Sequence, residues 1–360
     1  MAYTTINKST DHFNTVLYTG NETARTITVG MQPDFTWTKA RSQAHSHITT
    51  DVVTGVGKRL RPNVNNAQDT SGASVASFVS TGFTLTNDAT INENSTTYVS
   101  WNWKANGAGS SNTDGSINTT YTSANTTSGF SISTYTGTGS NATVGHGLGA
   151  VPKVVLVKGI GHTSQWYMYH VGTGANGVML LDNNATKTTD TVSWQNTTPT
   201  SSVFSIGNDG GTNGSGNTYV AYCFAEKTGF SKFGSYTGNG NADGAFVYTG
   251  FKPAFVLIKK ATGSTDSWFI NDNKRSLSGG TNTNSYYMRP NENAVEGTAA
   301  SLAIDILSNG VKIRNTDTAY NNNNSTYIYM AFAEAPLVGS NNVPCNARWG
   351  ENKLWQKQET

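Results

Sequence analysis

Charge is scarce in this 360-residue chain: Asp, Glu, Lys and Arg make up 13% of it, and they nearly cancel to a net +2. The densest basic stretch, KRLR at 58–61, holds three cations and reads as a solvated loop. A chain so poor in basic clusters has no electrostatic footprint for nucleic acid. Cysteine is scarcer still, with only Cys223 and Cys345, which cannot build a disulfide framework or a zinc site. Cys223 lies in YVAYCFAE, where alternation buries it as a small hydrophobe. No apolar run approaches the length of a membrane span, so membrane insertion is not expected. The opening MAYTTINKSTDHFNT is polar and lacks a signal-peptide core, which predicts synthesis in a cytoplasm without export by the usual route. Helical periodicity is missing too, apart from ENKLWQ at 351–356, too short to stand alone.

Asn, Thr, Ser and 38 Gly take the place of charge, alongside 16 Tyr, 14 Phe and 8 Trp. The small polar residues favour turns and strand surfaces, and the aromatics supply a core. The mixture predicts an all-β protein with many loops.

Three passages recur in order. YTG opens each copy, at Tyr18, Tyr135 and Tyr236. A proline follows 15, 17 and 17 residues later, at Pro33, Pro152 and Pro253, each preceded by a glycine (Gly30, Gly149, Gly250). An apolar run then ends in a lysine 6 residues on, at Lys39, Lys158 and Lys259. YVSWNWKA, YVAYCFAE and YIYMAFAE, beginning at Tyr98, Tyr219 and Tyr327, close the copies. The division that follows is an arm at 1–12, units at 13–106, 130–228 and 231–336, a Gly/Ser/Asn/Thr linker at 107–129, and a tail at 337–360. VVLVK and FVLIK fit strands buried on both faces, whereas YVAYCFAE and YIYMAFAE alternate as if packed on one face. IDIL and VKIR, separated by SNG, predict a hairpin.

The order YTGNG, GF-x-P-x-FV-x-IK, Trp, Asp-x-x-Arg and Y-x-x-AFAE resembles modules of tail-fibre-like virion proteins of marine bacteriophages. The third unit carries it best, in 236–240, 250–259, Trp268, Asp272, Arg275 and 327–334. The first has WNWKA in place of AFAE, and the second has Trp166 but no Asp-x-x-Arg after it. The copies cover about four fifths of the chain. The resemblance implies three tandem β-sandwich modules of concanavalin-like jelly-roll type. It implies a non-enzymatic virion protein of the tail or fibre apparatus, with a capsid-decorating protein as the alternative and a polysaccharide-degrading enzyme behind both. Its expected partners are other virion proteins, further copies in a symmetric assembly and host cell-surface glycans; no cofactor is expected.

Catalytic signals are sparse. There is no G-x-S-x-G, H-E-x-x-H or P-loop, and no repeated pair of carboxylates of the kind glycoside hydrolysis needs. Glu226 and Glu334 recur at strand ends as surface or ion-pairing residues. His45 and His47 would share a strand face, but no third metal ligand is evident, and His146 in VGHGLG reads as a turn residue. Asp272 and Arg275 read as an internal ion pair beside Trp268. Trp166, Tyr169, Trp268, Tyr286 and Tyr287 are the aromatic candidates for stacking on sugar rings.

Overall fold

The computed structural model describes residues 4–72, 74–275 and 282–336. Cys345, the tail at 337–360 and its ENKLWQ stretch lie outside them. The architecture is all-β and almost wholly antiparallel. In the first unit the opening strand Phe13–Thr19, the closing strand Thr97–Trp103, the proline-led strand Phe35–Ala40 and a fourth strand Ile48–Asp51 lie side by side in that order. The second unit repeats the order with Phe130–Thr136, Thr218–Ala225, Pro152–Gly159 and Trp166–His170. The third does so with Ser231–Thr237, Thr326–Pro336, Phe251–Lys260 and Phe269–Asp272. Among the described residues no helix is long and apolar enough to cross a membrane.

Each closing strand is paired on both sides, and both of its faces are covered. The one-faced reading of YVAYCFAE therefore needs correction: all of Thr218–Ala225 except Thr218 is buried. One face meets an outer layer of shorter strands. That layer is Arg25–Thr28, Val75–Val79 and Gly82–Leu85 in the first unit, and Ala142–Gly145 with Val203–Ile206 in the second. In the third it is Phe246–Tyr248, Thr283–Asn284, Ile304–Leu307 and Gly310–Ile313, the last two forming the expected hairpin. The composition-based linker at 107–129 is not a free tether, because Tyr121–Asn125 pairs with Phe130–Thr136 and Ile117 bridges to Val144.

The other faces of the three sheets meet one another. Trp103, Phe224 and Phe332 occupy the same place in the three closing strands, and their rings touch pairwise at 6.4, 5.5 and 5.8 Å. One apolar core thus runs through all three units. The repeats close into a ring around a pseudo-three-fold axis, and a shared core buries more surface per residue than three separate small cores. The cavity on this axis measures about 20 Å³ and is lined wholly by apolar side chains, among them Trp37, Leu156, Leu257 and Met330. It has room for about one water and no polar partner for it.

The recurrent YTG is a clamp at one end of the ring. Its tyrosine stacks on the first tyrosine of the closing strand at 5.0, 5.3 and 4.9 Å in the three units. Its hydroxyl donates to a carbonyl of a single helical turn, at Ile91, Thr212 and Tyr320. Asp88, Asp209 and Asp317 cap these turns by accepting from backbone N–H groups. The last turn residue, Asn92, Asn213 or Asn321, is fully buried and accepts an N–H from the loop after YTG. The glycine is required by close approach. A Cβ on Gly20, Gly137 or Gly238 would lie 2.1, 2.4 or 2.4 Å from a backbone oxygen of that turn. Gly30, Gly149 and Gly250 are glycines for a different reason, since they adopt φ of 90°, 62° and 81°. Gly238→Val should accordingly cost about 1–3 kcal/mol or more in chemical denaturation, because backbone cannot move aside as a side chain can; unchanged unfolding would refute the clamp.

Candidate functional site

The residues expected to stack on sugars are placed mostly inside. Trp166, Tyr169 and Trp268 are 1%, 2% and 1% exposed. They are therefore withdrawn as glycan contacts: both faces of their sheets are covered, so an inward and an outward ring are equally hidden. Trp166 Nε1 donates to Arg61 O at 3.1 Å, and Trp268 Nε1 donates to Leu180 O at 2.9 Å. Tyr169 packs on Trp194 in the outer layer of its unit. Tyr286 and Tyr287 are half-buried, and the Tyr287 ring packs edge-on against Phe269 with the Arg289 guanidinium over both rings. The structure does not bring the five together.

What it does build is a set of polar locks along the three seams. Trp166 pairs with Lys158, and His47 and Trp268 hold the corresponding place, one residue before the strands that pair Ile48 with Thr38 and Phe269 with Ile258. Each sends a ring N–H to a carbonyl of the preceding unit, His47 through Nε2 to Arg289 O at 3.1 Å. Trp37 Nε1 donates to His47 Nδ1 at 2.9 Å, which fixes that neutral tautomer, and burial holds the His47 pKa well below its usual value. His45 turns away to Glu93 at 2.8 Å, so the two histidines do not converge. Among the described residues no group of three or more His, Cys, Asp or Glu is placed to hold a metal.

A second lock lies one level along the axis. Asp51, His170 and Asp272 are equivalent, as are Trp101, Tyr222 and Met330. Tyr222 Oη donates to Asp51 Oδ2 at 2.8 Å, and Trp101 Nε1 donates to Asp272 Oδ2 at 3.0 Å, each pair crossing a seam. Burial raises the Asp51 carboxyl pKa, against the N–H and hydroxyl donors that favour its charged form. At the remaining seam Met330 has no donor to offer. A carboxylate there would lack its cross-seam partner, and His170 stands in its place, donating Nε2–H to Tyr329 O at 3.1 Å.

The seam between the third and first units has no short chain connection, and it carries an ionic network of four side chains, Arg41, Glu296, Arg275 and Asp272. Arg275 is wholly buried, binds Asp272 at 2.6 Å and Glu296 at 3.1 Å, and lies over the Trp101 ring at 5.5 Å. Glu296 also takes both Nε and Nη2 of Arg41, at 3.0 and 2.9 Å. The internal ion pair expected of Asp272 and Arg275 is present, and it extends into the first unit. The KRLR stretch also departs from its solvated reading: Leu60 is 1% exposed, and Arg59 and Arg61 pair with Asp69, Arg59 also with Asp88. Glu226 and Glu334 pair with Lys232 and Lys252. His146 is buried and tied to Thr200 O and Leu148 N.

The three closing lysines are fully buried, with their ammonium groups on backbone carbonyls. Lys158 Nζ reaches Asn65 O, and Lys259 Nζ reaches Asn184 O and Asp266 O, so two of the lysines also bridge seams. Burial lowers each lysine pKa from 10.5 to about 8. Above about pH 8 the folded chain sheds these protons while the unfolded chain keeps them up to 10.5, so folding gains stability as pH rises. The Cys223 thiol and the buried tyrosines, all pushed up by burial, oppose this, the tyrosines only as pH approaches the 10 at which their unfolded phenols ionise. Thermal unfolding should therefore shift upward between about pH 8 and 9.5; a monotonic fall would refute the assignment.

On the outside, one face stands apart. Phe246 and Tyr248 point outward from an edge strand and are 45% and 57% exposed. The Phe246 ring crosses above Gly310, where a Cβ would sit 2.9 Å from it. Lys312, paired with Phe246 across the strands, binds Asp243 at 2.7 Å, and Arg314 binds Asp305 at 2.6 Å. Sequence reasoning missed this face. The visible signal was AFVYTG, two aromatics two apart, where the equivalent strands read TIT and TVG.

A family model described as a domain of unknown function (DUF7483) matches residues 8–336. The chain belongs to that family. The match starts before the first unit and ends with the third, so the DUF7483 domain is the whole closed ring and not one repeat of it. No curated protein matches the chain.

Proposed function

We propose that the protein is a non-enzymatic structural component of a bacteriophage particle, belonging to its tail or fibre apparatus and touching host-surface glycans. The observation that carries this reading is the ring itself, in which one chain builds a pseudo-three-fold body from three repeats. Such a body suits a position on a symmetric particle axis. The sequence resemblance to tail-fibre-like virion proteins points the same way. The buried titratable groups at the seams are taken up by hydrogen bonds within the fold, and the axial cavity is too small and too apolar to hold a substrate. Each unit, with its main sheet and outer layer, is read as a two-sheet sandwich of the jelly-roll type. Other virion proteins are the partners of this reading.

A second reading places the same ring on the head as a decorating protein. It is favoured by the chain's path: the Phe13 and Phe332 rings stack at 5.2 Å, so the first and last main strands of the ring meet at one end, opposite the YTG clamps. A docking end and a free end follow from that. Antibody labelling of intact particles in the electron microscope separates the readings by tail or head signal, and absence from particles would remove both. Release of reducing sugar from envelope glycans by the purified protein would overturn the non-enzymatic assignment.

A further inference from the structure

Pseudo-symmetry supplies an internal control for what the fold requires. The outer-layer positions held by Phe246, Tyr248 and Lys312 are Thr26, Thr28 and Thr84 in the first unit, and Thr143, Gly145 and Ser205 in the second. The register is the same in all three, so threonine, serine and glycine satisfy it and the aromatic pair is an addition. In the second unit the corresponding edge is also covered by the chain's own Ile117 and Ser116. In the third, two large rings are left in water although nothing in the fold asks for them, and exposed aromatic surface of this kind marks a binding surface.

The rim defines the ligand. Asp243 is 84% exposed and presents carboxylate oxygens toward Lys312, and Arg314 is 47% exposed while tied to Asp305 through Nε. Thr283 Oγ1 adds a donor to Asp305 at 2.8 Å. Two carboxylates and two cations offset each other, so a charged ligand gains no net attraction. What remains is an apolar floor bordered by strong acceptors and donors. A pyranose ring has the complementary build, with a C–H face for the aromatic floor and equatorial hydroxyls that donate and accept at its edge.

We propose that this face, with Phe246 and Tyr248 as its floor and Asp243 and Arg314 at its rim, binds a neutral pyranose oligosaccharide. It takes up the glycan contact of the functional reading above and locates it away from the residues that sequence reasoning favoured. Binding in solution is independent of where the protein sits in a particle, so failure of particle labelling and failure of this site are distinguishable.

The test is saturation-transfer NMR on the full chain with neutral oligosaccharides of glucose, galactose and mannose as probes, and with alginate as an acidic comparison. The expected result is transfer to the C–H face of at least one neutral probe. Phe246→Ala and Tyr248→Ala should each weaken binding about tenfold. Asp243→Asn should weaken it less. Because these side chains are exposed, the variants should keep the wild-type unfolding midpoint, which separates a lost site from a lost fold. No transfer from any neutral probe, transfer unchanged in the Phe246→Ala/Tyr248→Ala double variant, or binding confined to alginate would each overturn the proposal.

Discussion

His170→Asp will destabilise the protein by about 3 kcal/mol, and Met330→Tyr in the same chain will restore much of it. The substitution installs at the second seam the carboxylate that the other two seams carry, but opposite a thioether. The new carboxylate would lose the Tyr329 carbonyl as a hydrogen-bond acceptor and would gain no cross-seam donor. Tyrosine at 330 recreates the Tyr222–Asp51 pair, and the axial cavity beside Met330 gives the larger ring some room. Chemical denaturation of both single variants and the double variant measures the coupling; additive effects would show that the equivalence is only apparent. The wild-type histidine has its own signature. Burial lowers its pKa from 6.5 to about 4, so the unfolded chain takes up the proton first as pH falls. The stability it contributes is complete above pH 6.5 and drains away toward pH 4, by up to about 3 kcal/mol. Replacement by Gln should flatten that part of the acid limb.

Arg275→Met will cost about 3–5 kcal/mol, the largest effect expected of any single seam residue, because it leaves Asp272 and Glu296 buried without their shared cation. Its consequence should be local before it is global. The third-to-first seam has no short chain connection, so amide exchange should rise first at Trp101 and at Glu296, whose N–H donates to Arg41 O at 2.8 Å. Asp272→Asn combined with Arg275→Met removes both charges and should be markedly milder than Arg275→Met alone. Equal losses would mean that the network contributes packing and not charge compensation.

The repeat and its proline-led and closing strands were legible because they rest on elements the three copies share: the YTG glycines, the pre-proline glycines and the apolar runs ending in Lys39, Lys158 and Lys259; the order of the strands, with the closing strand between the opening and proline-led ones, carries no such mark. The seams were hidden by complementary change. Asp51, His170 and Asp272 share a position but not a residue type, and neither do Trp101, Tyr222 and Met330, so no repeated motif marks them. Periodicity also failed for Trp166 and Trp268. Alternation says which side of a strand a ring takes, but not that a neighbouring unit covers that side. The burial of the lysines was hidden for the same reason, since a charge at a strand end normally meets water, whereas here all three meet carbonyls, two of them reaching into the preceding unit.

Three linked repeats differ from a trimer of identical chains in one further respect. A homotrimer looks the same after each turn about its axis, and this molecule does not, because the Arg41–Glu296 contact and the Phe246 face occur in one sector only. Seated on a true three-fold axis, it has three settings that its core cannot distinguish and its surface can. In a symmetry-averaged map the shared strands would appear at full strength, while the Phe246 and Tyr248 rings would fade to about one third.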